Sequence, residues 1–220
     1  MITYLFRSNL SIREIAIVFC SYFIAILFAL VLHEVAHGFV AYLCGDQTAK
    51  ADGRLTLNPI KHLDPIGSLC LLLFGFGWAK PVRVNPLKLR NYKRDMAFVS
   101  LAGICVNLLL AFFLSPALMV SGYLLESGNY FYVFVYYLLF YSVVINISLA
   151  VFNILPIYPL DGFNFINTFL KYENKFSQFM IKYGSIILLV LFITSAFSYL
   201  FTYVINGIIW LFTNFWGLII

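Results

Sequence analysis

Charge is scarce in this chain of 220 residues. Only 10% of them are Asp, Glu, Lys or Arg, and Ile15 to Leu32 contains none. A soluble domain carries about a quarter charged residues to wet its surface. The shortage, with 63% hydrophobic residues and a mean hydropathy of +0.94, excludes a soluble globular chain. It selects a polytopic membrane protein, whose unit is the span of about 20 apolar residues. Cysteine is sparse too. Cys20, Cys44, Cys70 and Cys105 lie in or beside apolar segments without CxxC spacing, which excludes a disulfide scaffold and predicts buried free thiols. There is no repeat, low-complexity tract or linker, so residues 1–220 are read as a single domain. No small-residue cleavage site follows the first apolar run, which is therefore a span and not a signal peptide.

Inside that run stands His33-Glu34-Val35-Ala36-His37. Ionisable groups at membrane depth are costly, and their default reading is functional. On an α-helix four residues advance about 400°, so His33 and His37 lie one turn apart on one face and reach one metal ion. Glu34 lies beside the pair, where it can act on a water held by the metal. This is the arrangement of a zinc hydrolase.

The chain in order predicts an all-α polytopic membrane protein with four to five transmembrane helices. Residues 1 to 13 are expected at the interface, and the first span covers 14–44. Residues 45 to 95 hold nine of the fourteen Lys and Arg, which the positive-inside rule places in the cytoplasm. These basic residues are orientation signals, and no nucleic-acid partner is expected. Within this loop Gly53 to Pro59 and Val82 to Pro86 alternate polar and apolar residues and are predicted as two short β-strands. Between them 68–78 is apolar but too short to span, which suits a re-entrant element. Further spans are expected at 96–120, where Pro116 is a candidate kink, at 131–155 and at 183–201, with 203–220 a fifth candidate. The loop 121–130 has no Lys or Arg and belongs outside. Phe163 to Phe176 reads as an interfacial amphipathic helix.

The third span ends in Asn153-Ile154-Leu155-Pro156-Ile157-Tyr158-Pro159-Leu160-Asp161-Gly162, and its prolines forbid continuous helix. Broken helix at membrane depth is tolerated only against protein or a hydrated cavity, which makes this a second candidate site. The first span ends inside, the second leaves and the third returns, so Asp161 and the His pair meet toward the cytoplasmic side. A catalytic zinc takes three protein ligands and keeps one position open. His62, Asp64 and Asp161 are the candidate third ligands. His62 and Asp64 sit in a polar loop where turn roles are common, whereas an unpaired Asp161 at the edge of a span is expensive without a cation. Asp161 is the choice. A set of two His and one carboxylate also serves iron; Glu34 tilts the reading to zinc.

These residues resemble the site-2 protease family of intramembrane zinc metalloproteases, particularly its small bacterial members. The likeness rests on His33 to Gly38 and Asn153 to Gly162, and extends to Gly53 to Pro59, His62 to Gly67, Gly77 to Val82 and Ala102-Gly103 with Asn107. Ile104 and Tyr158 stand where the family commonly has proline. The resemblance implies one zinc per chain on His33, His37 and Asp161, with Glu34 as the catalytic carboxylate. It also implies a membrane-protein substrate cut in or near a transmembrane segment, and a place in a bacterial cell membrane. Asn153 and Asn107 are candidate substrate-binding donors to the oxyanion or the substrate backbone. The rival of another class is a non-catalytic membrane zinc protein, a transporter or scaffold. A channel is disfavoured because no span carries a ladder of charges.

Overall fold

The computed structural model of the chain describes residues 11–65, 67, 80–171 and 174–219. The re-entrant element expected at 68–78 and the N-terminal residues 1–10 lie outside the described residues. A capping box opens the first helix: Ser11 N–H donates to the Glu14 carboxylate at 2.8 Å, and Glu14 N–H donates back to Ser11 Oγ. Seven α-helices follow among the described residues. They are α1 (Ile12–Leu43), α2 (Thr48–Ala51), α3 (Tyr92–Leu124), α4 (Tyr130–Asn153), α5 (Asp161–Phe169), α6 (Lys175–Ile193) and α7 (Ser195–Gly217). Four of them, α1, α3, α4 and α6, are long and apolar enough to cross a membrane. The protein is a multi-pass membrane protein.

Helices α1, α3 and α4 pack on one another, α5 lies against α3, and α7 leans on α3 and α4. Spacing by four explains the close contact of α1 and α3. On α1, Ser21, Ala25, Ala29, His33, His37 and Ala41 are all buried; on α3, so are Asp95, Val99, Gly103, Asn107, Ala111 and Ser115. Small residues along such a line let two backbones approach, the usual basis of helix association in lipid, where no hydrophobic force drives it. The histidines belong to this buried line. Outside the bundle Phe28, Leu109, Phe113, Leu189 and Phe192 are exposed, as lipid contact requires. The same reasoning corrects the expectation for cysteine: Cys20 and Cys105 are free but exposed, because apolar outer faces here meet lipid tails.

The polar loop contains no strand among the described residues, contrary to the sequence reading. The amides of Gly53 and Arg54 are spent closing the end of α2, on the carbonyls of Lys50 and Ala49. Asn58-Pro59 and Asn85-Pro86 each open a 3-10 turn, with the Asn Oδ1 accepting the amide two residues on. The extended Val82 to Asn85 stretch bonds to side chains and not to a ladder: Val82 N–H to Glu34 Oε2 at 2.8 Å, Asn85 N–H to Asp46 Oδ2 at 2.6 Å. Asp46 is buried and also accepts the amide and hydroxyl of Thr48. Burial pushes its carboxyl up, but these hydrogen bonds outweigh burial and hold it below its ordinary range. The loop is thus stapled to the end of α1.

Downstream boundaries also differ from expectation. The helix expected at Phe163 to Phe176 ends at Phe169, with Leu170 extended, and Asn174 caps a new helix through Phe176 N–H. The span expected at 183–201 is divided at Thr194, which is extended and turns its amide and hydroxyl back onto α6. Asn206-Gly207 does not break α7.

Pro116 lies inside α3 and has no amide to give the Phe112 carbonyl one turn back. Trp216 of α7 supplies the missing donor, its indole N–H reaching Phe112 O at 2.9 Å while its ring packs 5.1 Å from the Phe112 ring. Trp216→Phe is therefore expected to destabilise the detergent-purified protein by about 1 kcal/mol. In a Pro116→Ala background, where residue 116 regains its amide, the cost should shrink. Equal losses in both backgrounds by equilibrium denaturation would refute this account.

Candidate metal centre

The site is assembled from three helices. His33 and His37 come from the second half of α1, and α3 lies behind them. Asp161 is the first residue of α5, presented after the irregular stretch 154–160. Gly162 allows this approach. A side chain there would strike the Ile154 carbonyl and the Leu155 oxygen, so only glycine lets α5 start so close under the end of α4.

His33 Nε2 and His37 Nε2 are 3.1 Å apart and lie 3.1 and 3.2 Å from Asp161 Oδ2. The far side of each ring fixes its tautomer. His37 Nδ1 is 2.7 Å from the Val99 carbonyl, which can only accept, so Nδ1 carries the proton. His33 Nδ1 is 3.0 Å from Asn107 Oδ1 and donates likewise. Both Nε2 atoms then present lone pairs toward a carboxylate oxygen that has no hydrogen-bond partner. Three electron-rich atoms at this separation repel one another unless a cation lies among them. The edges of the triangle are close to the roughly 3.3 Å separating two ligands 2.0–2.1 Å from a tetrahedral centre. The residues therefore fit a zinc ion, and the outward hydrogen bonds are those that orient metal-binding imidazoles. His33, His37 and Asp161 form the one such group found among the described residues.

Beside the triangle a cavity of about 300 Å³ is walled by Glu34, Val82, Val84, Asn153 and Asn164. Glu34 Oε2 accepts the Val82 amide and leaves Oε1 as the oxygen with capacity for a proton. The other candidate ligands are elsewhere. His62 is buried with Nε2 at 2.8 Å from the Thr56 carbonyl, and Asp64 Oδ1 accepts the Gly67 amide; both hold the loop. Asn153 does line the cavity, with one amide hydrogen spent on the Leu149 carbonyl of its own helix. Asn107 is fully buried behind His33, so its contact is with the imidazole and not with the cavity.

Sequence reasoning gave Val82, Ser100 and Gly103 no role at the site. Ser100 is buried and lines the cavity, its hydroxyl without a partner among the described residues. Gly103 is the floor under the imidazoles. A Cβ there would meet His37 Nε2 at 2.5 Å, His33 Nδ1 at 2.6 Å and His33 Cε1. The signal was available in its spacing, one turn from both Val99 and Asn107. Gly103→Ala is expected to displace both rings and weaken zinc binding about 10- to 100-fold. Gly122→Ala, in the same helix but facing open space, should leave it unchanged. Zinc retention against a graded chelator distinguishes them, and equal retention would remove Gly103 from the site.

Comparison with known proteins gives consistent matches. A model described as Peptidase family M50 matches residues 125–193. The chain is 39% identical over 187 residues to the protein named "Putative zinc metalloprotease YwhC" of Bacillus subtilis (strain 168), covering 84% of this chain and 85% of that protein. It is 32% identical over 181 residues to Rip2 of Mycolicibacterium smegmatis, also so named, covering 78% of this chain and 66% of that protein. No solved structure matches.

Proposed function

Because the chain belongs to peptidase family M50, the site-2 protease group of intramembrane zinc metalloproteases, we propose that His33, His37 and Asp161 hold its zinc, one ion per chain, and that Glu34 is its catalytic carboxylate. The observation that carries this reading is the convergence of two Nε2 atoms and one Oδ2 atom within 3.2 Å of one another. Zinc held by these residues would supply Lewis acidity, lowering the pKa of a water to about 7 and polarising the scissile carbonyl.

The chain's own residues do the rest. Glu34 Oε1 takes the water proton as the nucleophile adds to the carbonyl carbon, then delivers it to the departing amine nitrogen. The Val82 amide on Oε2 keeps the carboxylate turned to that task. Val99 and Asn107 hold the two imidazoles in the ligating tautomer. Asn153, at the cavity wall, is placed to meet the substrate backbone.

The substrate is a membrane protein, cut in or near a transmembrane segment that unwinds locally to expose its peptide bond. The membrane is that of a bacterial cell, and the site faces the cytoplasm. Nine of the fourteen Lys and Arg fall in residues 45–95, the loop that carries Val82 and the first turn of α3, which supports that orientation. Metal analysis of the purified chain tests the core of the proposal. The expected result is one zinc per chain, released by a strong chelator and regained from zinc salt. Another metal in its place, or a full complement retained by His33→Ala, would overturn it.

A further inference from the structure

A second cavity, of about 320 Å³, lies away from the metal centre, where α3, α5 and α6 meet. Its wall includes Tyr92 and Lys93 from the start of α3, Asn167 from α5, Lys171 just beyond α5, and Ser177 and Ile181 from α6. None of the residues lining it is acidic, and among the described residues neither Lys93 nor Lys171 is in an ion pair. Two lysines thus line one hollow that has no acidic residue among its described lining. The hollow is braced: Ser177 donates to Asn167 Oδ1 at 2.6 Å, tying α6 to α5 and leaving the amide nitrogen as the donor end of Asn167.

We infer that this cavity binds the phosphate of an anionic phospholipid headgroup. The charge of two lysines calls for an anion, and Asn167 adds a neutral donor for phosphate or glycerol oxygens. Position selects a lipid over free phosphate. The cavity sits where two membrane-crossing helices, α3 and α6, begin, which is headgroup depth. Tyr92, 49% exposed, is of the type that sits at that level. Ile181 in the wall is 56% exposed and continues into the bare apolar face of α6 with Leu189 and Phe192, a surface for an acyl chain. A basic pocket between helices at the membrane surface is the chemistry that retains acidic lipids.

Native mass spectrometry of the full-length chain in detergent tests this. The protein is titrated with phosphatidylglycerol or phosphatidylcholine of matched acyl chains, with and without inorganic phosphate as competitor. The expected result is preferential retention of phosphatidylglycerol, reduced about tenfold or more by Lys93→Gln with Lys171→Gln and unchanged by Lys50→Gln with Lys61→Gln, which removes the same charge elsewhere. Lys171→Gln alone should give part of the loss. Zinc content reports that each variant is folded, independently of lipid. No preference for phosphatidylglycerol, an equal loss in the control pair, or displacement of the lipid by millimolar phosphate would overturn the inference.

Discussion

Glu34→Gln should leave zinc in place and lower proteolysis by roughly a thousandfold, within the 10² to 10⁴ range of general acid-base catalysis. The substitution is nearly isosteric, and the glutamine oxygen can still accept the Val82 amide that Glu34 Oε2 accepts at 2.8 Å. What it removes is the capacity of the second oxygen to take a proton from water and return it to the amine. The proposed metal set of His33, His37 and Asp161 is untouched. The measurement pairs zinc analysis with cleavage of a membrane-embedded substrate in proteoliposomes. Activity within a few-fold of the parent would make Glu34 a bystander and revive the non-catalytic zinc protein. Loss of zinc would make it a ligand instead.

Asp161→Asn should do the opposite in the metal assay. Loss of even an outer-shell partner costs 10- to 100-fold in metal affinity, and removing the one anionic donor from a set otherwise built of neutral imidazoles should cost more than about a hundredfold. Activity falls with the metal. The fold should survive, since the carboxylate at the first turn of α5 contributes only about 0.3–1 kcal/mol through the helix dipole. Thermal denaturation separates the two effects. A chelator should lower the melting temperature of the parent, because a metal bound only to the native state stabilises it, and should leave the Asn variant where it already is. An Asn variant that still binds zinc as the parent does would refute the ligand assignment.

The metal-binding candidates were legible because ionisable groups in an apolar run have few structural excuses. His33, Glu34 and His37 stood out for that reason, and the prolines before Asp161 marked the break that presents it. The supporting residues were harder to see. Gly103 carried no site role and Asn107 read as a donor to the substrate until the imidazoles were placed on them, since a contact across α1 and α3 has no local signature. The loop was misread because Arg54-Leu55-Thr56-Leu57 alternates as a strand does, while the choice between strand and turn is made by acceptors distant in sequence, Glu34 for Val82 and Asp46 for Asn85. The division at Thr194 was invisible for another reason. Hydropathy continues across it, and only the backbone turns.

The metal triangle spans the chain. Its imidazoles belong to α1 and its carboxylate to α5, which follows three helices long and apolar enough to cross a membrane. On the proposed ligand set, a nascent chain ending after α4 carries both imidazoles and lacks the carboxylate that completes them. The proposed zinc set is therefore completed late along the fold, only once α5 has been added to the four helices before it.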